Sequence, residues 1–443
     1  MEKQQTIHIL KILLKIVLIA FSVVLLIYPA LQNGYPLLYS DSATYIASGH
    51  DHNVPIDRPI FYGLFVWNTC FGYSLWIVVF LQAFIVLALI YYTFLLFVPR
   101  EKVIYFTSFS ILLLGLFTGL PNYICQIMPD LFSGILIWLI VLFYFSTTTL
   151  SRIVIGAGLI FSAVVHNSNL LTFTILVALL VCISLFFKQS QLKRKSLYLL
   201  MLVVVAWILV PSVNYAFKRE WYVSKGGGVF FLGRLIEMGI VKDYLDEQCQ
   251  KQNFELCQFK DKLPEHGWQF CWEPTSPLYA GGCYETGWGN CWLNKNDEYR
   301  KIIMDILTTP KYLARFVKIS LKDFLRQFIY FDMIHFAKLD KGVGLDSVVE
   351  HYLKDHYMMA DAKQLKESIF YPVRNMIQRY FIGLCTLVIL VWLFANTKRK
   401  KVSTDCWLII LIVFSGLVIN AYFVSAISCV ECRYQGRIIW LVP

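Results

Sequence analysis

Residues 8–30 read HILKILLKIVLIAFSVVLLIYPA, an almost unbroken apolar run in which Lys11 and Lys15 are the only fully charged side chains. About 20 apolar residues cross the hydrocarbon layer of a bilayer. No small-residue cleavage site follows the run, so it reads as an anchor rather than a removed signal. Working outward, comparable runs recur at approximately 74–98, 102–120, 130–147, 152–166, 169–187, 196–217, 378–396 and 405–427, the one at 152–166 being short and weak. Residues 59–73 suggest an interfacial helix leading into the second span. Composition agrees: of 443 residues, 58% are hydrophobic and 16% charged, against roughly 25% charged in soluble domains. Intrinsic disorder, a coiled coil, a collagen-like fibre and a small disulfide scaffold are excluded. The fold class is an α-helical polytopic membrane protein with about 9–10 transmembrane helices.

The net charge of +11 invites a nucleic-acid reading until its location is considered. The polar stretch 218–375 holds 22 Lys/Arg and 21 Asp/Glu, leaving 18 basic and 8 acidic residues for the membrane part. With the N-terminus inside, fourteen of those eighteen basic residues, among them Lys188, Lys193 to Lys195 and Lys398 to Lys401, fall on the cytoplasmic side. Arg58, Arg379, Arg433 and Arg437 fall outside, with Asp41, Asp51, Asp57, Asp130 and Glu431. Polar groups near bilayer depth are costly and usually functional, so any chemistry is expected on the outer face. The excess charge is a topology signal, and no nucleic-acid partner is expected.

Three parts follow: an N-terminal transmembrane module at 1–217, a water-facing outer domain at 218–375, and a C-terminal transmembrane module at 376–443. The outer domain reads as mainly helical, with apolar positions at helical spacing over 229–249 and 298–331, the latter broken at Pro310. Between these, 264–297 is rich in Gly, Trp and Cys and reads as an ordered loop.

The first outer loop holds the strongest constellation: Tyr39-Ser40-Asp41-Ser42-Ala43-Thr44-Tyr45, then Asp57-Arg58-Pro59-Ile60-Phe61-Tyr62-Gly63. A carboxylate at Asp41 suits a general base, or else an N-cap for a short helix beginning at Ser42. The second outer loop gives Met128-Pro129-Asp130, which also fits an ordinary helix start. His166-Asn167-Ser168-Asn169 follows a small-residue helix at Gly156 and Gly158, suited to close packing. The last loop, Glu431-Cys432-Arg433-Tyr434-Gln435-Gly436-Arg437, offers two arginines for bidentate contact with phosphate, or for lipid headgroups. The apolar run after it is about six residues long, reading either as a half-inserted segment or as a chain that stops early.

An acid about ten residues beyond the first span, followed by a basic-Pro-x-aromatic-aromatic turn, resembles the first outer loop of the GT-C glycosyltransferases. These are polytopic enzymes that use polyprenyl-phosphate sugars, as in the protein mannosyltransferase and aminoarabinose transferase types. Ser40-Asp41 stands where that family has an acidic pair, and Ile60 where it has a second proline. The resemblance implies a GT-C-like fold in a bacterial inner (plasma) membrane, with its active site on the outer face. It implies Asp41 as catalytic base, Asp130 positioning the acceptor or a metal, and Arg58, His166, Arg433 and Arg437 on the donor phosphate. The partners implied are a polyprenyl-phosphate sugar donor and a glycan, lipid or protein acceptor. Whether Mg²⁺ or Mn²⁺ is needed stays open.

Other motifs read more blandly. Ser224-Lys225-Gly226-Gly227-Gly228 lacks the Walker order and suggests a flexible exit from the membrane, or a backbone phosphate cradle. His50-Asp51-His52 and the pair His351 and His356 are poorly spaced for a metal. Eight cysteines, Cys125, Cys249, Cys257, Cys271, Cys283, Cys291, Cys429 and Cys432, fall on the outer face, where disulfides are expected without a deducible connectivity. A lipid-linked glycan polymerase, ligase or flippase is the alternative function. A flippase predicts charged or broken helices at mid-membrane, whereas these spans are almost uncharged. A non-enzymatic scaffold would tolerate loss of Asp41.

Overall fold

Every residue of Leu131–Phe145 except Trp138 and Phe145 is buried, which makes this helix the axis around which the others assemble. A helix apolar on all sides belongs in a protein core or in lipid, and this one is surrounded by protein. The computed structural model describes residues 2–186, 190–283, 288–340, 344–397 and 402–443.

In chain order the helices are α1 (Glu2–Asn33), α2 (Ser42–Asp51), α3 (Phe61–Cys70), α4 (Leu75–Phe97), α5 (Val103–Phe117), α6 (Leu120–Cys125), α7 (Leu131–Phe145), α8 (Thr149–Val164), α9 (Asn167–Phe186) and α10 (Ser190–Lys218). There follow α11 (Gly227–Glu237), α12 (Ile240–Gln248), α13 (Gly267–Trp272), α14 (Trp288–Asn294), α15 (Asn296–Thr308), α16 (Pro310–Ile329), α17 (Leu345–Tyr352), α18 (His356–Met359), α19 (Pro372–Thr397), α20 (Thr404–Ile427) and α21 (Cys432–Ile439). Among the described residues the backbone forms no strand beyond two isolated bridges.

Each of the nine apolar runs is a helix. Six are long and apolar enough to cross a membrane: α1 (over Gln4–Asn33), α4, α9, α10, α19 and α20. The other three, α5, α7 and α8, have 15 or 16 residues, about 23 Å at 1.5 Å per residue. The chain is therefore an all-α membrane protein. Its basic cluster at 398–401 and Lys188 lie outside the described residues.

The loops at one end are tied by backbone bonds. Leu37 N donates to Cys125 O at 2.9 Å and Ile127 N to Leu37 O at 3.0 Å. This stitches the segment before Asp41 to the segment before Asp130. Gln82, fully buried on α4, reinforces the second segment by donating to Ile124 O. Gln364 closes from above, its side-chain amide both donating to and accepting from the backbone of Leu38.

Residues 218–375 contribute to two cores. Val229 to Tyr312 supply a core of their own, including Tyr244, Phe270, Trp292 and Tyr299. Ile334 to Ile369 join the core of the membrane bundle. The helix expected over 229–249 is two, because Gly239 takes φ 69 between α11 and α12, a left-handed conformation that favours glycine. The break at Pro310 is present, with the proline opening α16. The segment 264–297 contains α13 and α14 as well as turns. The run after Arg433 is packed into the bundle, with Trp440 against Trp138 at 5.7 Å between ring centres.

Candidate functional site

Asp41 immediately precedes α2, where a capping residue would sit, yet its side chain makes no cap hydrogen bond. Ser42 closes that turn instead, accepting from Tyr39 N and donating to Ile127 O. The carboxylate is thereby free for arginines. Arg58 Nη2 donates to Asp41 Oδ1 at 3.1 Å, and Arg433 Nη1 lies 3.6 Å from Oδ2. Burial alone pushes the Asp41 carboxyl up, but Arg58 and Arg433 outweigh it and hold the group below the usual carboxylate range. With a quarter of its side chain accessible, Asp41 is the most open member of the trio, the two arginines being 12% exposed.

Arg58 reaches Asp41 because the chain turns sharply before α3. Asp57 Oδ2 accepts from Nε and Nη2 of Arg58, at 2.8 and 2.6 Å, and the guanidinium lies over the Tyr45 ring. Asp57 itself is buried, and its Oδ1 has no hydrogen-bond partner. Arg433 is held differently, between the rings of Tyr39 and Tyr434. Its Nε and Nη1 are buried and without a hydrogen-bond acceptor. Buried donors of a charged group left in this condition are costly.

Arg437, one helical turn after Arg433 on α21, has a different environment. It is fully buried, donating to Asp130 Oδ1 at 3.0 Å, Ser168 Oγ at 3.0 Å and Asn420 Oδ1 at 2.9 Å. Asp130 also accepts from Gln126 Nε2. This cluster ties α7, α9, α20 and α21 together at one point. His166 borders it: its Nδ1 accepts from Ser168 N at 3.2 Å and lies 2.8 Å from Ser168 Oγ. Burial and then the nearby Arg437 push its imidazole down to about 3, so it is neutral near pH 7. A neutral ring offers phosphate a single N–H, from Nε2.

All six residues singled out in the sequence thus meet in one connected group drawn from separate loops. Tyr39, Tyr45, Asp57 and Ser168 stand within the same sequence motifs, which assign them no role, yet they set the orientation of these groups. Asn420 goes unnamed in the sequence reading, its one signal being an amide inside an apolar span.

The remaining motifs resolve plainly. Gly226 is no flexible exit: its N–H donates to Ile56 O at 2.8 Å, and a Cβ there would lie 2.9 Å from the Trp292 ring and 3.0 Å from Asp57 Cα. His50 and Asp51 point to separate partners, Ile46 O and the Tyr352 hydroxyl. Among the described residues no three His, Cys, Asp or Glu converge on a metal position. Two disulfides form, Cys249–Cys257 and Cys283–Cys291, while Cys125, Cys271, Cys429 and Cys432 are free thiols.

No protein-family model, curated protein or solved structure matches this chain.

Proposed function

We propose that this chain is a GT-C-like membrane glycosyltransferase, moving one sugar from a polyprenyl-phosphate carrier to an acceptor hydroxyl on the outer face of the membrane. The observation that carries this reading is Asp41 ion-paired to Arg58 and to Arg433, whose buried Nε and Nη1 make no hydrogen bond. A base and an anion site side by side are what transfer from a sugar phosphate requires.

In the proposed reaction the acceptor oxygen attacks the anomeric carbon as its proton passes to Asp41. The C1–O bond to phosphate breaks with inversion, and its electron pair leaves on polyprenyl phosphate. Arg433 supplies charge-assisted hydrogen bonds to that phosphate, with Arg58 beside it. As Arg433 turns toward the phosphate, Asp41 loses part of the pairing that depresses its pKa and becomes a better base. Arg437 and Asp130, engaged with each other and with Ser168, Asn420 and Gln126, hold the helix that presents Arg433. His166 offers one neutral N–H.

The test is mass spectrometry of lipids that co-purify with the wild-type protein and with Asp41→Asn. Enrichment in the variant of a polyprenyl phosphate carrying a single hexose or pentose is expected, with loss of transfer to acceptor. A polyprenyl diphosphate bearing a longer glycan would replace the transferase with a polymerase, ligase or flippase. Bulk phospholipid alone, together with unchanged envelope glycans in an Asp41→Asn strain, would remove the reading.

A further inference from the structure

Helix α16 exposes an apolar ridge that a helix at a water-facing surface would not. The side it buries combines Tyr312, Phe316 and Ile319, packed on the core of Val229 to Tyr312, with the polar Ser320, Asp323 and Gln327. Asp323 pairs with Arg234, and Gln327 both accepts from Glu431 N and donates to Glu431 O. The side it exposes carries Leu313, Val317, Leu321, Leu325 and Ile329, one residue every fourth position, the last two 65% and 72% exposed. An i, i+4 row forms one continuous ridge along a helix. A third side carries Lys311, Lys318, Lys322 and Arg326, all exposed.

The neighbour of the apolar side identifies what covers it. Phe324 meets Tyr422 and Phe328 meets Phe414, both partners belonging to the membrane-length helix α20. Phe414 is itself 57% exposed. It sits thirteen residues before the end of α20 at Ile427, about 20 Å along the axis. The ridge on α16 is therefore continuous with the exposed flank of a span, well below that span's end.

We propose that α16 is inserted beside α20 into the leaflet on the site side of the membrane, its Leu313-to-Ile329 ridge lying against acyl chains. The cationic row then faces lipid phosphates, the pattern of a basic amphipathic helix at a bilayer, with long stems carrying the charges upward. This places a helix from the polar middle of the chain in lipid. Through Gln327 and Glu431 the inserted helix also props the start of α21, on which Arg433 and Arg437 stand. The proposal is independent of what the site transfers.

The experiment uses the full chain in nanodiscs of phosphatidylcholine and phosphatidylglycerol, with a benzophenone amino acid in place of Leu325 or, as a control, of exposed Lys242 on α12. Illumination is expected to yield about ten-fold more phospholipid adduct at position 325 than at 242. Cross-linking from 325 mainly to a second copy of the chain would make the ridge a protein interface and overturn the proposal. So would capture of a glycan, or equal lipid capture at both positions.

Discussion

At the scale of single residues, Arg437 and Arg433 differ in what their surroundings ask of them, although they share a helix face. Arg437 neutralises Asp130 where both are buried, so losing one partner strands a charge. Arg437→Met is expected to destabilise the protein by about 3–5 kcal/mol, read as a lowered unfolding midpoint in detergent. Adding Asp130→Asn is expected to restore most of that loss. A double variant as unstable as the single one would show that the pair is not the source.

His166 gives a pH dependence whose sign follows from its depressed pKa. Folded, it titrates near 3 against an ordinary 6.5. Between those values the unfolded chain binds a proton that the folded chain refuses. Its contribution is present above pH 6.5 and is lost as pH falls toward 3. At pH about 5 this amounts to about 2 kcal/mol. His166→Asn should therefore lose less stability than wild type between about pH 7.5 and about pH 5, and parallel losses would refute the assignment.

At the scale of elements, the site depends on how closely α2 and α3 cross. A Cβ on Gly63 would lie 2.8 Å from Tyr45 O and 2.9 Å from Gly49 N on α2. Gly63→Ala must push the helices apart, at about 1–3 kcal/mol. Asp41 precedes one of these helices and Arg58 the other, so their spacing changes too. A fall of about 10-fold or more in the proposed sugar transfer is expected. Gly383→Ala on α19, where a Cβ meets open space, should be nearly neutral. Equal activity of both variants would mean that the crossing does not set the site. Of the two, α3 was legible as an apolar run within 59–73, and α2 only as the alternative reading of Asp41 as a cap. Their close crossing was not, since a glycine in sequence does not name the backbone it will touch.

At the scale of the whole molecule, the charge asymmetry predicts which end faces out. An impermeant maleimide applied to intact cells should label Lys262→Cys and leave Lys193→Cys unlabelled until the membrane is opened. The reverse pattern would invert the topology, put Asp41 on the inner face and count against the proposed transfer. Nine apolar runs, a helix break at Pro310 and a helix within 59–73, found at Phe61–Cys70, were readable from residues alone, because each rests on interactions spanning a few positions. The same locality made Asp41, Arg58, Asp130, His166, Arg433 and Arg437 visible as polar residues beside apolar runs. Tertiary structure alone decided that Arg437 meets Asp130 across a separation of 307 residues. It also decided that Arg437 is held by three side chains while Arg433 meets the Asp41 carboxylate and two tyrosine rings, that Cys249 pairs with Cys257, and that α16 leaves an apolar ridge exposed. These outcomes depend on which helices pack together, and hydropathy along a chain records how apolar a segment is without recording its neighbours.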